Sequence, residues 1–165
     1  MTNLGIIAAF DDCGIIGDGD KIPWRISEDM NHFKNLTEGH PVIMGRKTYE
    51  SIPERFRPLS GRMNIVLSRK SGLIIPGAYR VSSFNEALEL IEEMPEENID
   101  FKKSYVIGGS SVYEQALPFT TFMEITHVKG TFKGDVYFPG ISWDDWKEIS
   151  REDFQRYSFN SYLRK

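Results

Sequence analysis

An acidic residue near the start of the chain falls on the apolar side of a predicted helix. With Ser27 as the cap of this helix, a rotation of about 100° per residue places Asp29 between Phe33 and Leu36. Glu28 points about 100° further round, toward solvent. The apolar stripe consists of Ile26, Met30, Phe33 and Thr37, with Leu36 at its edge. The pattern predicts one partly buried carboxylate, which either serves a site or is an acid stabilised by the helix dipole.

Three predicted strands end in residues that suit phosphate groups. Residues 45–48 read Gly-Arg-Lys-Thr at a helix start, residues 68–70 read Ser-Arg-Lys, and residues 108–111 read Gly-Gly-Ser-Ser. Cations, hydroxyls and backbone N–H groups bind pyrophosphate, and glycine lets a backbone approach a phosphate closely. Each stretch alone is also typical of a turn or a solvated surface. Their shared placement at strand ends, where open α/β sheets bind ligands, predicts a dinucleotide site.

The same strand ends indicate which dinucleotide binds. Cations are spread over the stretches, which suits a dinucleotide with an additional phosphate. Residues 68–70 contain no acidic side chain, whereas a ribose 2′-hydroxyl is usually bound by one. We therefore expect NADP rather than NAD.

The apolar pattern predicts the elements that position these residues. Buried strands are predicted at residues 4–10, 41–45, 63–68 and 105–107. A loop is predicted at 11–21, and helices are predicted after it, at 46–52, at 84–94 behind a Ser83 and Glu86 capping box, and at 112–116. Strands without intervening helices follow at 122–128, 136–138, 146–151 and 159–163. This order predicts an α/β fold with a mostly parallel sheet and an antiparallel carboxyl-terminal edge.

Length and composition narrow the class of protein. The 165 residues suit one domain over residues 1–165, and 40% hydrophobic with 27% charged residues is ordinary for a globular protein. The single cysteine, Cys13, forms no intrachain disulfide and has no partner spacing for a metal site. A net charge of −4 disfavours nucleic-acid binding, and the amino-terminal apolar run is too short to span a membrane. We expect a cytoplasmic monomer without a metal.

Many separated motifs, in order along nearly the whole chain, resemble dihydrofolate reductase. The residues that carry the resemblance are Ile7-Ala8-Ala9, Ile16-Gly17, Pro23-Trp24, Asp29 with Phe33-Lys34, residues 41–52, Pro58-Leu59, Gly61-Arg62, residues 64–68, 106–109 and 112–115, Thr126-His127, Gly134-Asp135 and Phe138-Pro139. The resemblance implies a three-layer α/β/α fold with a central, mostly parallel eight-stranded sheet, an antiparallel carboxyl-terminal strand and flanking helices. It also implies reduction of 7,8-dihydrofolate to 5,6,7,8-tetrahydrofolate by NADPH, and binding of antifolate-type small molecules.

The resemblance gives Asp29 a ligand. A carboxylate can accept paired hydrogen bonds from N3 and the 2-amino group of a pteridine, and it can influence protonation at N5. Burial raises the pKa of such a carboxyl group, whereas hydrogen bonds to its ionised form oppose the rise. The family implies that Thr126 hydrogen-bonds Asp29 and that Trp24 holds a water near it. We predict Asp29, Trp24 and Thr126 as the catalytic residues.

Other substrate and cofactor positions are implied residue by residue. The predicted substrate-binding residues are Ile7, Ala8, Asp29, Met30, Phe33, Ile52, Leu59, Arg62, Ile107, Tyr113 and Thr126, with Arg62 paired to the α-carboxylate of the substrate's glutamate. The predicted cofactor-binding residues are Ala9, Ile16, Gly17, Gly45, Arg46, Lys47, Thr48, Leu67, Ser68, Arg69, Gly108, Gly109, Ser110, Ser111, Val112 and Tyr113. Arg46 and Arg69 are the predicted ligands of the 2′-phosphate. The family also implies a cis peptide between Gly108 and Gly109.

The chain departs from the family pattern at two positions. Ser111 stands where some members have a cation, and Ile22 stands where the loop often has Met or Leu. The resemblance implies that residues 17–22 form a lid over the nicotinamide, supported by Gly134 and Asp135. Two alternatives are an NADPH-dependent pyrimidine reductase of riboflavin synthesis and a non-catalytic NADP-binding module.

Overall fold

The computed structural model describes residues 2–19 and 21–165, and its centre is an eight-stranded sheet. The strands that the chain contributes are β1 Asn3–Asp11, β2 Ile15–Gly17, β3 Pro41–Gly45, β4 Met63–Leu67, β5 Tyr79–Val81, β6 Lys103–Gly108, β7 Phe122–Val128, β8 Val136–Tyr137, β9 Trp146–Asp153 and β10 Tyr157–Arg164. The order across the large sheet is β5-β4-β3-β6-β1-β7-β10-β9. The central strands are buried on both faces, which explains their continuous apolar runs.

Strand direction agrees with the prediction of a mostly parallel sheet. The neighbours from β5 to β7 are all parallel pairs, and β10 is antiparallel to both β7 and β9. The carboxyl ends of β1, β3, β4 and β6 therefore lie at one edge of the sheet, where the predicted phosphate-binding stretches begin.

Helices cover both faces of the sheet, which confirms the three-layer arrangement. The helices are α1 Ser27–Thr37, α2 Arg46–Ser51, α3 Phe84–Glu93 and α4 Ser110–Ala116. One apolar cluster joins α3 and α4 to one face, and a second joins α1 and α2 to the other. Single-turn 3-10 helices lie at Glu54–Phe56, Leu117–Phe119 and Trp143–Asp145.

Two short strands, β2 and β5, were not predicted from the sequence. The predicted loop at 11–21 contains β2, which pairs with β8 in a separate two-stranded sheet. The strand β5 was missed, because three residues are too few for a period-2 pattern to be read. Asp20, within the predicted lid, lies outside the described residues.

Of the two predicted helix N-caps, the structure contradicts one and confirms the other. Ser27 is the first residue of α1, and its N-cap is Ile26 without a side-chain hydrogen bond, so the predicted Ser27 cap is wrong. At α3 the cap is confirmed, because the Ser83 hydroxyl accepts from the Glu86 N–H at 3.1 Å. Glu86 reaches back one residue further than a capping box requires, to the N–H of Ser82.

Candidate active site

Asp29 lies on the side of α1 that faces the sheet and is hydrogen-bonded to a strand of the sheet. Thr126 on β7 donates its hydroxyl hydrogen to Asp29 Oδ1 at 2.6 Å, and Thr126 itself is buried. Burial raises the pKa of Asp29, while the hydrogen bond from Thr126 and the nearby His32 oppose the rise. Glu28 is exposed, as predicted. The structure therefore contains one half-buried carboxylate, fixed in orientation by a strand of the large sheet.

Arg62 lies at the other end of α1. Its Nη1 donates to the Thr37 hydroxyl at 3.2 Å and its Nε donates to the Ser60 carbonyl at 2.9 Å. The guanidinium also lies 5.9 Å from the centre of the Phe33 ring. From Asp29 to Thr37 a helix rises about 12 Å. A carboxylate and a guanidinium thus stand at opposite ends of one helix, with an aromatic ring between them.

Most of the predicted apolar wall comes together on the α1 and α2 face. Ile7 is buried there, and the half-buried side chains packed against the same cluster include Phe33, Ile52, Leu59 and Ile107. Ala8 differs, because alternate side chains of a strand face opposite ways and its methyl group lies in the cluster of the other face. Met30 differs as well: its side chain is 66% exposed.

The exposure of Met30 does not come from the rotation of the helix. The buried or half-buried residues of α1 are Asp29, His32, Phe33, Leu36 and Thr37, and Met30 lies only about 20° from the buried Thr37 around the axis. Met30 therefore lies on the predicted stripe, but near the start of the helix, where its side chain is not covered by another described element.

Trp24 is buried near the start of α1. It belongs to a cluster with Ile26, Val128 and Tyr157, and its ring meets the Phe132 ring edge-on at 5.3 Å between centroids. The indole therefore packs against the residue that caps the helix of Asp29. Tyr113 is also buried, and its hydroxyl donates to the carbonyl of Ile7 at 2.8 Å.

Two of the three predicted cofactor stretches, residues 45–48 and 108–111, meet at the sheet edge. A methyl group on Gly108 or Gly109 would lie 3.4 Å from Thr48 Oγ1, and one on Gly45 would lie 3.3 Å from Val112 Cγ2. The Gly108-Gly109 peptide is cis, and Gly108 has φ of +133°, which an L side chain rarely adopts. The backbone of the glycines and the Thr48 hydroxyl therefore form a cradle, open where the glycines have no side chain, which fits a phosphate-bearing cofactor.

The predicted cations at this edge are exposed. Arg46 Nη1 forms an ion pair with Glu50 Oε1 at 2.6 Å, and Lys47 and Arg69 face solvent. Ser68 is buried, and its hydroxyl accepts from the N–H of Lys70 at 3.2 Å. Other predicted cofactor residues contact the protein itself. The Ser110 hydroxyl donates to the Tyr137 carbonyl, and the Ser111 hydroxyl accepts from the Gln115 amide. The half-buried residues packed against the apolar clusters include Ala9, Ile16 and Leu67.

The structure adds one cation that the sequence did not reveal. Arg80 Nη1 donates to the carbonyl of Ser68 at 2.9 Å and to the hydroxyl of Ser82 at 3.1 Å. It was missed because it lies on β5, which was not predicted. Arg80 therefore stands beside Ser68 and Arg69 at the strand end predicted to bind the 2′-phosphate.

Gly17 and Gly19 of the predicted lid are hydrogen-bonded to Asp135, which is its predicted support. Asp135 Oδ1 accepts from the N–H of Gly19 at 2.8 Å, and the N–H of Asp135 donates to the carbonyl of Gly17 at 3.1 Å. A methyl group on Gly134 would come within 2.5 Å of the same carbonyl, so only glycine fits there. Ile22 is 64% exposed.

Asp11 is a second residue of this region that sequence reasoning missed. Its buried carboxylate accepts from the N–H groups of Cys13, Ile15 and Phe132 at 2.8 to 2.9 Å. It therefore fixes the base of the lid to the loop after β7. A single acid at a strand end carries no sequence signal for this role.

A mostly parallel sheet whose strand ends carry a cradle suited to phosphate, with a half-buried carboxylate on a flanking helix, is typical of a nucleotide-dependent enzyme of the α/β class. The sequence model of the family "Dihydrofolate reductase" matches residues 3–164. The chain belongs to the dihydrofolate reductase family.

Individual relatives agree with this assignment. The chain is 40% identical to a dihydrofolate reductase of Neisseria meningitidis serogroup B, over 99% of each chain. It is 45% identical to one of Mycobacterium tuberculosis, over 78% of this chain and 73% of the relative. A structure of dihydrofolate reductase from Enterococcus faecalis, complexed with NADP(H) and RAB-propyl, superposes with a TM-score of 0.85 at 27% identity, over 99% of this chain and 96% of that one. The riboflavin-pathway reductase and the non-catalytic module are not supported.

The described residues, 2–19 and 21–165, lack two other kinds of feature. None of their helices is long and apolar enough to cross a membrane. They also contain no group of three His, Cys, Asp or Glu side chains that could hold a metal ion.

Proposed function

We propose that this protein catalyses the NADPH-dependent reduction of 7,8-dihydrofolate to 5,6,7,8-tetrahydrofolate, which supports one-carbon metabolism and thymidylate synthesis. The observation that carries the proposal is the arrangement along α1. A half-buried carboxylate at one end, an apolar wall and a half-buried guanidinium at the other end match the pteridine, benzoyl and glutamate parts of the substrate in order.

Asp29 binds the pteridine. Its carboxylate accepts hydrogen bonds from N3 and the 2-amino group, and Thr126 holds it in the plane that these bonds require. Hydride addition at C6 requires a proton at N5, because negative charge would otherwise build on the ring. Burial raises the pKa of Asp29 above its usual value, so the group beside the ring binds a proton more readily than an exposed aspartate does.

Arg62 binds the α-carboxylate of the substrate's glutamate. Two of its nitrogens already donate to Thr37 and Ser60, so the guanidinium plane is fixed before the ligand arrives. The half-buried side chains of Phe33, Ile52 and Leu59 pack against the benzoyl group between the two charges.

The cofactor binds along the sheet edge. When bound, it supplies the hydride, which passes from the nicotinamide C4 to the pteridine C6. Thr48 and the backbone of Gly108 and Gly109 hold the pyrophosphate, and Arg46 and Arg69 hold the 2′-phosphate, with Arg80 beside them. Ile16, Gly17 and the residues that follow cover the nicotinamide and exclude water.

The experiment that tests the proposal is the loss of NADPH absorbance in the presence of dihydrofolate. We expect turnover in the parent, a fall of at least about a hundredfold in Asp29→Asn, and retained NADPH binding. Glu28→Gln is the matched control, because Glu28 is the exposed neighbour on the same helix. Equal rates in parent and Asp29→Asn would show that the carboxylate is assigned wrongly, and an inactive parent would favour a binding module.

Three broader expectations belong to the same proposal. The chain acts as one domain over residues 1–165, as a monomer in the cytoplasm, and without nucleic-acid partners. The net charge of −4 supports the last point. Light scattering after size exclusion tests the monomer, and a single cooperative unfolding transition tests the single domain.

A further inference from the structure

A closed ring of contacts joins Asp29 to a second titratable residue of α1. Thr126 donates to Asp29, and Thr126 is the cross-strand partner of Phe159 on β10. The Phe159 ring stacks on the imidazole of His32, with centroids 3.8 Å apart and planes 6° from parallel. His32 in turn lies three residues after Asp29, a spacing that puts two helical side chains next to each other. Each residue in the ring therefore restricts the position of the next.

Carboxylates from three elements surround the imidazole. Asp29 faces it from α1, Glu124 from β7 and Glu152 from β9. The Ser161 hydroxyl holds Glu124 at 2.6 Å, and Phe159 is the cross-strand partner of Glu152. The site acid and the imidazole thus belong to one charged cluster beneath the proposed pteridine site.

Tyr157 completes the titratable groups on this side of the sheet. It lies on β10 and faces Asp29, Glu28 and Glu152. Its pKa is raised, first by burial and then by these acids, so its hydroxyl carries no charge at or below neutral pH. The imidazole of His32 is therefore the neighbour of Asp29 that can gain a positive charge as the pH falls.

Burial and charge act in opposite directions on the two groups. Burial lowers the pKa of His32, and the three carboxylates oppose the fall. Burial raises the pKa of Asp29, and the Thr126 hydrogen bond and then His32 oppose the rise. The charge of each group therefore acts on the other: Asp29 raises the pKa of His32, and His32 lowers the pKa of Asp29.

We propose that His32 is a positioning residue for Asp29, held against Phe159 so that the imidazole and the site carboxylate take up and release protons as a coupled pair. In this role His32 acts on the reaction through Asp29. The kinetic consequence rests on the proposed function, whereas the coupling itself does not.

The direct test follows the histidine ring protons by NMR as pH is varied. The sequence has three histidines, so each resonance can be assigned with single variants. In Asp29→Asn the titration midpoint of His32 falls, because a negative neighbour has been removed. In His32→Phe the midpoint of Asp29, followed through its labelled carboxyl carbon, rises by the same amount, since coupling between two sites is reciprocal. His127, bonded to the Tyr162 hydroxyl at 2.9 Å, is the internal control and keeps its midpoint.

The kinetic test uses the same variant. His32→Phe keeps an aromatic ring stacked on Phe159 and removes the titrating charge. The part of the pH profile of kcat/KM that reports the titration of Asp29, its pH limb, therefore moves to higher pH. NADPH affinity is unchanged. His32→Gln guards against a packing effect of the new ring and shifts the limb in the same direction. His40→Gln, whose imidazole contacts the Asp100 carbonyl, leaves the profile unchanged.

The outcomes separate this inference from the proposed function. A His32 midpoint that is identical in parent and Asp29→Asn overturns the coupling, whatever the enzyme reduces. Reciprocal NMR shifts in a protein without dihydrofolate reductase activity support the coupling and contradict the function. A merely structural role of His32 predicts loss of stability in His32→Phe with the Asp29 midpoint unmoved, and that result also overturns the coupling.

Discussion

The substrate side and the cofactor side of the site are built differently. On the substrate side, Asp29 and Arg62 are half-buried and each already has a hydroxyl partner, Thr126 and Thr37, in the protein itself. On the cofactor side, Arg69 faces solvent, and the fixed parts are glycines and backbone. A buried charge needs partners in the folded protein to offset its lost hydration, whereas an exposed cation does not. The fold therefore orients in advance the groups that we propose for the pteridine and glutamate, and it leaves exposed the cations that we propose for the phosphates.

This comparison predicts the largest substrate-binding effect for Arg62→Gln. The variant removes a charge-assisted, paired contact from an oriented, half-buried guanidinium, so we expect the KM for dihydrofolate to rise about a hundredfold. Arg55→Gln is the matched control, since Arg55 is an exposed arginine on the 3-10 helix 54–56. Steady-state kinetics measures both. A KM that changes no more in Arg62→Gln than in Arg55→Gln would place the glutamate tail elsewhere.

Thr126→Val tests whether the partner of Asp29 is as important as the structure suggests. The loss of one hydrogen bond to a charged group costs about 1.5 to 3 kcal/mol, so we expect kcat/KM to fall roughly tenfold or more. The bond lowers the pKa of Asp29, so its removal raises that pKa and moves the pH limb to higher pH. Thr126→Ser keeps the hydroxyl and should keep the limb in place, as a pH profile of kcat/KM will show.

The two sides also differed in how far the sequence predicted them. The carboxylate was recognisable because an acid on an apolar helix stripe is unusual, and its partner Thr126 came only from the family resemblance. Met30 lies on the predicted stripe but is exposed, since periodicity predicts the apolar face of a helix and not which part of that face another element covers. On the cofactor side, the glycines and Thr48 were predicted, but Arg80 was missed with its three-residue strand.

The contacts of other residues could not be predicted from any local sequence pattern. Asp11 and His32 act through contacts between residues far apart in sequence: Asp11 with Phe132, and His32 with Phe159. Sequence periodicity predicts which face of an element is buried, but not which side chain of another element it meets. The strands and helices were therefore predicted more completely than the contacts between them.

Arg69→Gln tests the exposed cations of the cofactor side. Because Arg69 is solvated, its attraction to the 2′-phosphate is partly screened, and we expect the Kd for NADPH to rise only about tenfold. The Kd for NADH, which lacks that phosphate, should not change. Fluorescence titration with both cofactors measures the ratio. An equal loss for NADPH and NADH would mean that Arg69 supports the fold of this edge and does not contact the phosphate.

Asp135→Ala is expected to have the smallest effect, because it removes a contact of the lid and not of the site. Asp135 accepts from the N–H of Gly19 at 2.8 Å, so its loss should weaken closure of the lid over the nicotinamide. We expect hydride transfer to slow by a few-fold, or cofactor release to change by a similar factor, with the KM for dihydrofolate unaltered. Asp144→Ala, an exposed acid on the 3-10 helix 143–145, is the control. Stopped-flow measurement separates the two steps, and unchanged pre-steady-state kinetics in Asp135→Ala would contradict a role of the lid in the mechanism.

The effect of Asp135→Ala should stay confined to the tip of the loop. Asp11 holds the base of the same loop through three N–H groups, so the variant should leave the stability of the fold unchanged.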